Sequence, residues 1–205
     1  MKTVKSVQPT AIIGVGDYGR AWAAQGWMNV SAMAPTNLAY GNHDNMEALE
    51  GARNPDGTLC LAKDGEVRVI DGLRTGFINR IISSKAKIKD GTPRKTADKY
   101  LSYAPRLAGV DVLATHMAPR EMGSTFIHEG EDLRVMENVL KTVKPRLFLC
   151  GHLAGPYKIA TIGNTVGVRV DSSPAEQHYA VITGEGTVVQ VYHNHKLVDS
   201  VDVVF

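Results

Sequence analysis

Four short apolar runs in this chain each lead into residues that can hold a metal ion. Residues 10–15 (TAIIGV) run into Gly16-Asp17, residues 36–40 (TNLAY) into Gly41-Asn42-His43-Asp44, residues 110–115 (VDVLAT) into His116, and residues 146–150 (RLFLC) into Gly151-His152. All four are apolar on both faces, the pattern of strands buried inside a layered sheet. Open α/β sheets gather their ligands at the carboxyl ends of such strands. Carboxylate and amide oxygens with imidazole nitrogens form a donor set for manganese, iron, zinc or nickel. One histidine at a strand end is ordinarily a structural residue with a satisfied hydrogen bond, but four polar strand ends in succession point to one shared site.

The segments between these runs suit an α/β layering. Residues 129–143 (EGEDLRVMENVLKTV) place Leu133, Met136, Leu140 and Val143 on one helical face, an α/β unit feeding the strand after Pro145. The opening MKTVKSVQPT reads as the end of a helix leading into the first run. In the last third, residues 157–170, 178–183, 187–192 and 196–204 alternate or run apolar between turn signals, which predicts an antiparallel meander. A chain of 205 residues is long enough for one sizeable core and short for two, so a single domain over residues 1–205 is expected.

Composition excludes more than it selects. At 43% hydrophobic and 21% charged the chain is neither disordered nor membrane-embedded in character, and a net charge of +2 argues neither for nor against nucleic acid. Cys60 (TLCLA) and Cys150 (LFLCG) sit far apart in apolar surroundings, so buried reduced thiols are expected rather than a metal or redox pair. The absence of a signal-peptide core or of an apolar run approaching membrane length sets the expectation of a cytoplasmic protein with no membrane partner.

The stretch AIIGVGDYGRAW, residues 11–22, admits two readings. Gly14, Gly16 and Gly19 could form the glycine-rich turn of a dinucleotide site, or the strand could end in one metal-binding carboxylate, Asp17. A dinucleotide site calls for an acidic residue at the end of the next strand, about twenty residues on, to hold the ribose. That strand ends in NLAYGN, with no acid until Asp44, which leaves dinucleotide binding as the minor alternative.

Taken together, the GD of Gly16-Asp17, the GNHD of residues 41–44, the lone histidine of THMAP (His116) and the GH of residues 151–152 resemble the calcineurin-like metallophosphoesterase superfamily. The resemblance covers roughly residues 10–185 and implies a four-layer α/β/β/α sandwich of two mixed sheets. It carries Asp17, Asn42, His116 and His152 over as metal ligands. It implies that His43 protonates the leaving oxygen and that Asp44 orients the His43 ring. Two departures stand out: the family's opening DxH is absent, which implies that the first strand is lacking, and Ala154 in GHLA occupies the place of the second histidine of GHxH. Both fall on the same metal position of the family's pair, so a site for one divalent ion (Mn, Fe, Zn or Ni) rather than two is expected.

The activity implied is metal-dependent hydrolysis of a phosphomonoester or phosphodiester, with a noncatalytic binding or scaffold protein of the same fold as the alternative. A sheet without its first strand leaves an edge that a second copy or a partner strand could cover. The basic stretch at residues 80–99, with Arg80, Lys85, Lys87, Lys89, Arg94, Lys95 and Lys99, reads as a solvated loop or as a loop beside the site touching a phosphate-bearing substrate. Tyr18 and Arg20 follow Asp17 closely enough to touch a phosphate or to form a turn only. Gly123-Ser124 is a candidate rim loop, and His128 and His178 read mainly as surface or structural residues. His193-Asn194-His195 marks a hairpin turn.

Overall fold

A computed structural model describes residues 2–82, 88–89, 92–123, 131–153, 155–170, 178–183 and 188–205. The chain opens with α1 (Lys2–Val7), β1 (Ile12–Val15), α2 (Ala24–Ser31), β2 (Thr36–Ala39) and α3 (Met46–Gly51). The middle holds β3 (Val67–Ile70), β4 (Leu73–Ile78), the two-residue strands β5 (Ile88–Lys89) and β6 (Thr92–Pro93), and α4 (Ala97–Leu101). Then come β7 (Val112–Thr115), α5 (Glu131–Val143), β8 (Leu147–Cys150), β9 (Lys158–Ile162), β10 (Thr165–Arg169), β11 (His178–Thr183), β12 (Val188–His193) and β13 (Lys196–Asp202).

Six strands form the larger sheet in the order β3-β4-β7-β8-β10-β9. Its four inner strands run parallel, and β3 and β9 close the two edges antiparallel. Alternation along the strands divides the sheet's two faces. Leu113, Phe148 and Cys150 pack outward against Met136, Val139, Leu140 and Val143 of α5 and Tyr100 of α4. Val112, Leu147, Leu149 and Val168 turn inward, where they meet Ile13 and Val15 of β1, Ala180 and Ile182 of β11, and Val189 and Val191 of β12. Beyond β1 and β2, Leu38 and Tyr40 pack on Trp27 and Val30 of α2 and Leu49 of α3. Helices, sheet, sheet and helices thus stack as an α/β/β/α sandwich.

The apolar runs at 36–40, 110–115 and 146–150 are realised as β2, β7 and β8, buried along their whole length. The run at 10–15 is realised as β1, yet every residue of β1 is only half-buried. β1 bonds in parallel to β2 on one side, from Ile12↔Thr36 to Val15↔Ala39. Among the described residues no strand pairs with its other edge, nor with the outer edge of β11. The helical face read at 129–143 is realised as α5, with Met136, Leu140 and Val143 buried.

The expected C-terminal meander is divided between two sheets. β11, β12 and β13 do form one, but β10 joins the larger sheet in parallel beside β8, bringing β9 with it as an edge. Four of the five residues of β10 are buried, which suits an inner strand, whereas β9 stays half-exposed. The β3–β4 hairpin was not read from the sequence, although it turns on Asp71-Gly72, both at positive φ (47° and 83°), the dipeptide that a tight hairpin turn favours.

Candidate metal centre

The strands carrying the sequence-predicted ligands end at one rim. β7 and β8 run parallel in the larger sheet, and β1 and β2 run parallel in a two-stranded sheet of their own. The turns after β1 and β2 close directly on His116, at the end of β7. A Cβ on Gly16 would lie 2.5 Å from the Gly41 nitrogen and 2.7 Å from His116 Nδ1. One on Gly41 would lie 2.5 Å from His116 Nε2 and would strike the Asp17 carboxylate. Only glycine lets these two backbones come so close to the imidazole.

Two carboxylates fix the turns to each other. Asp17 lies in the left-handed region (φ 60°), which aspartate tolerates better than most residues. Its Oδ1 accepts the backbone N–H groups of Asn42 and His43, both at 2.9 Å. In return Asp44 accepts from the backbone of Asp17 (3.0 Å), Tyr18 (2.5 Å) and Gly41 (2.7 Å). The carboxylate expected to orient the His43 ring is therefore taken up by three main-chain donors. Burial raises the Asp44 carboxyl above its usual range, against the pull of those donors.

His116 is fully buried, at 0% exposure. Its Nδ1 lies 2.8 Å from the Val15 carbonyl, which can only accept, so Nδ1 carries the hydrogen and, in the neutral ring, Nε2 holds the lone pair. Around Nε2 stand Asn42 Oδ1 at 3.1 Å, His152 Nδ1 at 3.2 Å and Asp17 Oδ2 at 3.4 Å. The ligand atoms of Asp17, His116 and His152 lie within 4.8 Å of one another. Four atoms able to donate an electron pair thus converge, and with the His152 hydrogen on Nε2 all four lone pairs face one another, an arrangement that a divalent cation satisfies. These residues fit a metal.

The protonation states suit the same purpose. Burial works to raise the Asp17 carboxyl, but in the metal-free chain the hydrogen bond and charge of a protonated His116, with His43 behind them, hold it at about 2. Burial, followed by the neighbouring His116 charge, lowers His152 to about 4. At neutral pH the site offers an ionised carboxylate and a neutral imidazole, the forms that bind metal. His152 too is at positive φ (67°), an unusual conformation for histidine that turns its ring edge-on to His116, with centroids 4.9 Å apart. His43 stands exposed beside the cluster, placed there by its N–H bond to Asp17.

Gly14 and Gly16 serve packing. Gly14 lies inside β1, where a Cβ would run into the Tyr18 hydroxyl and come 2.8 Å from Leu38. That hydroxyl donates to the Ala39 carbonyl at 2.6 Å, so Tyr18 ties β1 to β2. No helix opens straight from the turn, since α2 begins only at Ala24. The geometry of a dinucleotide loop is not formed.

Other candidates lie apart from the cluster or outside what is described. Ala154, His128, Ser124, Lys85 and Lys87 are outside the described residues, as is the side chain of Lys89. His178 stacks on His193 across β11 and β12 (centroids 4.5 Å, 14°). Asn194 and His195 form the tight turn before β13, with positive φ at both.

Support from Asn79 and Lys95 was missed in the sequence. Asn79 Oδ1 accepts from the Tyr40 backbone at 2.9 Å, and its amide donates to the Ala62 carbonyl at 2.9 Å. Lys95, only 3% exposed, bonds to the Asn79 carbonyl at 2.9 Å and forms an ion pair with Asp64. Burial outweighs the Asp64 charge and lowers the Lys95 ammonium to about 8.

No protein-family model matches the chain, and no curated protein matches it by sequence. Solved structures do match in shape. TT1561 of Thermus thermophilus superposes with a TM-score of 0.62 at 15% identity, over 98% of this chain and 89% of that one. GAP50, the anchor in the inner membrane complex of Plasmodium, superposes with a TM-score of 0.56 at 11% identity, over 98% of this chain and 80% of that one. The chain shares its α/β sandwich fold with these proteins. In this fold the Asp17, His116 and His152 group is a possible metal site, and no helix among the described residues is long and apolar enough to cross a membrane.

Proposed function

We propose that the chain is a metal-dependent phosphoesterase that holds one divalent ion through Asp17, Asn42, His116 and His152. The observation that carries this reading is the convergence of Asp17 Oδ2, Asn42 Oδ1 and His152 Nδ1 on the lone-pair nitrogen of a buried His116. When bound, such an ion supplies a Lewis acid for a phosphoryl oxygen and an activated water at neutral pH. The chain's own residues do the rest. Val15 fixes the His116 tautomer, and the Asp17–Asp44 pairing holds the two turns at their separation. His43, exposed beside the cluster, is placed to protonate the leaving oxygen. Ala154, at the position of the family's second histidine, argues for one ion rather than two.

The test is metal content by elemental analysis after dialysis against manganese and then zinc, with turnover assayed on p-nitrophenyl phosphate and bis(p-nitrophenyl) phosphate. One ion per chain, lost in His116→Ala, with turnover lost in His43→Ala while the ion stays, supports the reading. A wild-type chain that retains no ion overturns it.

A noncatalytic role is the second reading, and two observations favour it. β1 is half-exposed with one edge unpaired among the described residues. GAP50, whose fold is similar, is named as an anchor. On this reading the open edge takes a strand from a second copy or another protein, and light scattering on the purified chain reports the oligomeric state directly.

A further inference from the structure

The carboxyl end of β4 carries three cations that this mechanism does not use: Arg80, Arg94 and Lys95. Lys95 is accounted for by Asp64 and the Asn79 carbonyl. Its backbone N–H donates to the Ile81 carbonyl at 3.3 Å and the residue bridges Ile82, which pins the segment carrying Arg94 against the end of β4. Since β4, β7 and β8 run parallel, Arg94 stands at the same rim as His116 and His152. The Arg94 charge is among those acting on the His152 ring.

Arg80 approaches from the β2 side. Its backbone N–H donates to the Tyr40 carbonyl at 2.8 Å, its Nε bonds to the Tyr40 hydroxyl, and its guanidinium lies 5.2 Å from the Tyr40 ring centroid. Tyr40 immediately precedes Gly41. Neither guanidinium has a carboxylate partner among the described ion pairs, because Asp64 is paired with Lys95 while Asp17 and Asp44 are engaged with backbone N–H groups. The Arg94 Nε is buried and, among the described residues, has no hydrogen-bond acceptor. A buried guanidinium N–H without an acceptor is disfavoured, and the acceptor that fits its planar fork is a carboxylate or phosphate oxygen.

We propose that Arg94, together with Arg80, binds the phosphoryl oxygens of the substrate and directs this site to phosphomonoester dianions. The proposal rests on the phosphoesterase reading for the place of the phosphate, and it adds the substrate class. A monoester has three unesterified oxygens and two charges, whereas a diester has two oxygens and one charge. A site that offers guanidinium donors beside the ligand cluster discriminates for the former.

The deciding experiment measures binding of inorganic phosphate by calorimetry to the full chain in manganese, for wild type, Arg94→Ala and Arg94→Lys, with metal content determined on the same samples. Phosphate affinity is expected to fall about tenfold or more in Arg94→Ala at unchanged metal content, with partial recovery in Arg94→Lys. On esters, kcat/KM for p-nitrophenyl phosphate should fall about tenfold or more, and that for bis(p-nitrophenyl) phosphate by less than about threefold. Wild-type protein that binds no phosphate, a variant that binds it as tightly as wild type, or equal losses on both esters overturns the proposal. The two readings separate cleanly. Arg94-dependent phosphate binding without a bound ion removes the metal-hydrolase reading and keeps this one, while a bound ion with phosphate binding indifferent to Arg94 does the reverse. Should Arg94→Ala fail to fold, as circular dichroism would show, Arg94→Lys and Arg94→Gln carry the same comparison.

Discussion

Asp17 and Asp44 each hold the other's turn. Asp17 accepts the N–H groups of Asn42 and His43, and Asp44 accepts those of Asp17, Tyr18 and Gly41. The two acids nevertheless face different consequences on substitution. Asp17→Asn keeps an amide oxygen for its two donors and loses the charge facing His116, so metal binding should be lost while the fold gives up no more than the contribution of this charge, about 2 kcal/mol. Asp44→Ala strands three N–H groups, that of Gly41 buried and the other two part-buried, and at about 1–3 kcal/mol for a buried group left without a partner it should be the more damaging to the fold. Urea unfolding and metal content on both variants check this; equal destabilisation by the two would contradict the division of roles.

Gly41 and Gly19 provide a second contrast. A Cβ at Gly41 would strike the Asp17 carboxylate and lie 2.5 Å from His116 Nε2, inside the ligand cluster. Gly41→Ala should therefore abolish metal binding and destabilise by about 1–3 kcal/mol through overpacking. At Gly19 a Cβ meets nothing within 4 Å, though the positive φ of 91° still carries strain. Gly19→Ala should cost about 1 kcal/mol and leave metal content unchanged. Thermal melts with elemental analysis read both; loss of metal in Gly19→Ala would show that the effect is not local to the ligand space.

His152 sets an acid limit on the metal-free chain. Burial and the His116 charge lower it to about 4 from 6.5, so between these values the unfolded chain binds a proton that the folded chain does not. Stability accordingly rises with pH through this window and falls as the protein is acidified from 6.5 to 4, by up to about 3 kcal/mol. Asp17, held at about 2 against 3.8, has its stabilisation fully present above 3.8 and loses it only at lower pH, between 3.8 and 2. Denaturation midpoints measured from pH 7 to pH 4 in chelator should show the His152 slope, and His152→Asn should flatten it. An unchanged slope in that variant would assign the window to another group.

What the sequence disclosed follows from the range of the forces involved. β2, β7 and β8 were legible because strands buried on both faces are apolar at every position, and a ligand at a strand's end needs only that strand to place it. β1 reads the same way but is half-buried, because exposure depends on which strand lies beside it, a property absent from its own residues. Residues 157–170 were legible as part of an antiparallel meander, yet the sheet that β9 and β10 enter was not, since joining β8 is a contact between distant segments. Asp44 was legible as a site residue through GNHD, but its three main-chain donors come from two turns that meet only in the folded chain. Asn79 and Lys95 carried no local signal at all: an asparagine after a strand and a lysine in a basic stretch are ordinary on the surface.

Lys95 makes the last of these points measurable. It is buried and paired with the half-buried Asp64, and removing one member of such a pair leaves the other charge uncompensated, at up to about 3–5 kcal/mol. Lys95→Met should therefore destabilise strongly, and adding Asp64→Asn should recover part of the loss, which a double-mutant cycle in urea would read as a coupling energy. The pH dependence provides an independent check. With the ammonium lowered to about 8 from 10.5, the unfolded chain binds the extra proton between those values, so the contribution of Lys95 to stability rises with pH across that window. The Met variant should lack this alkaline rise. If the single and double variants are equally unstable and the rise persists, the Lys95–Asp64 pair does not couple the β4 end to the Asn79 support of β2.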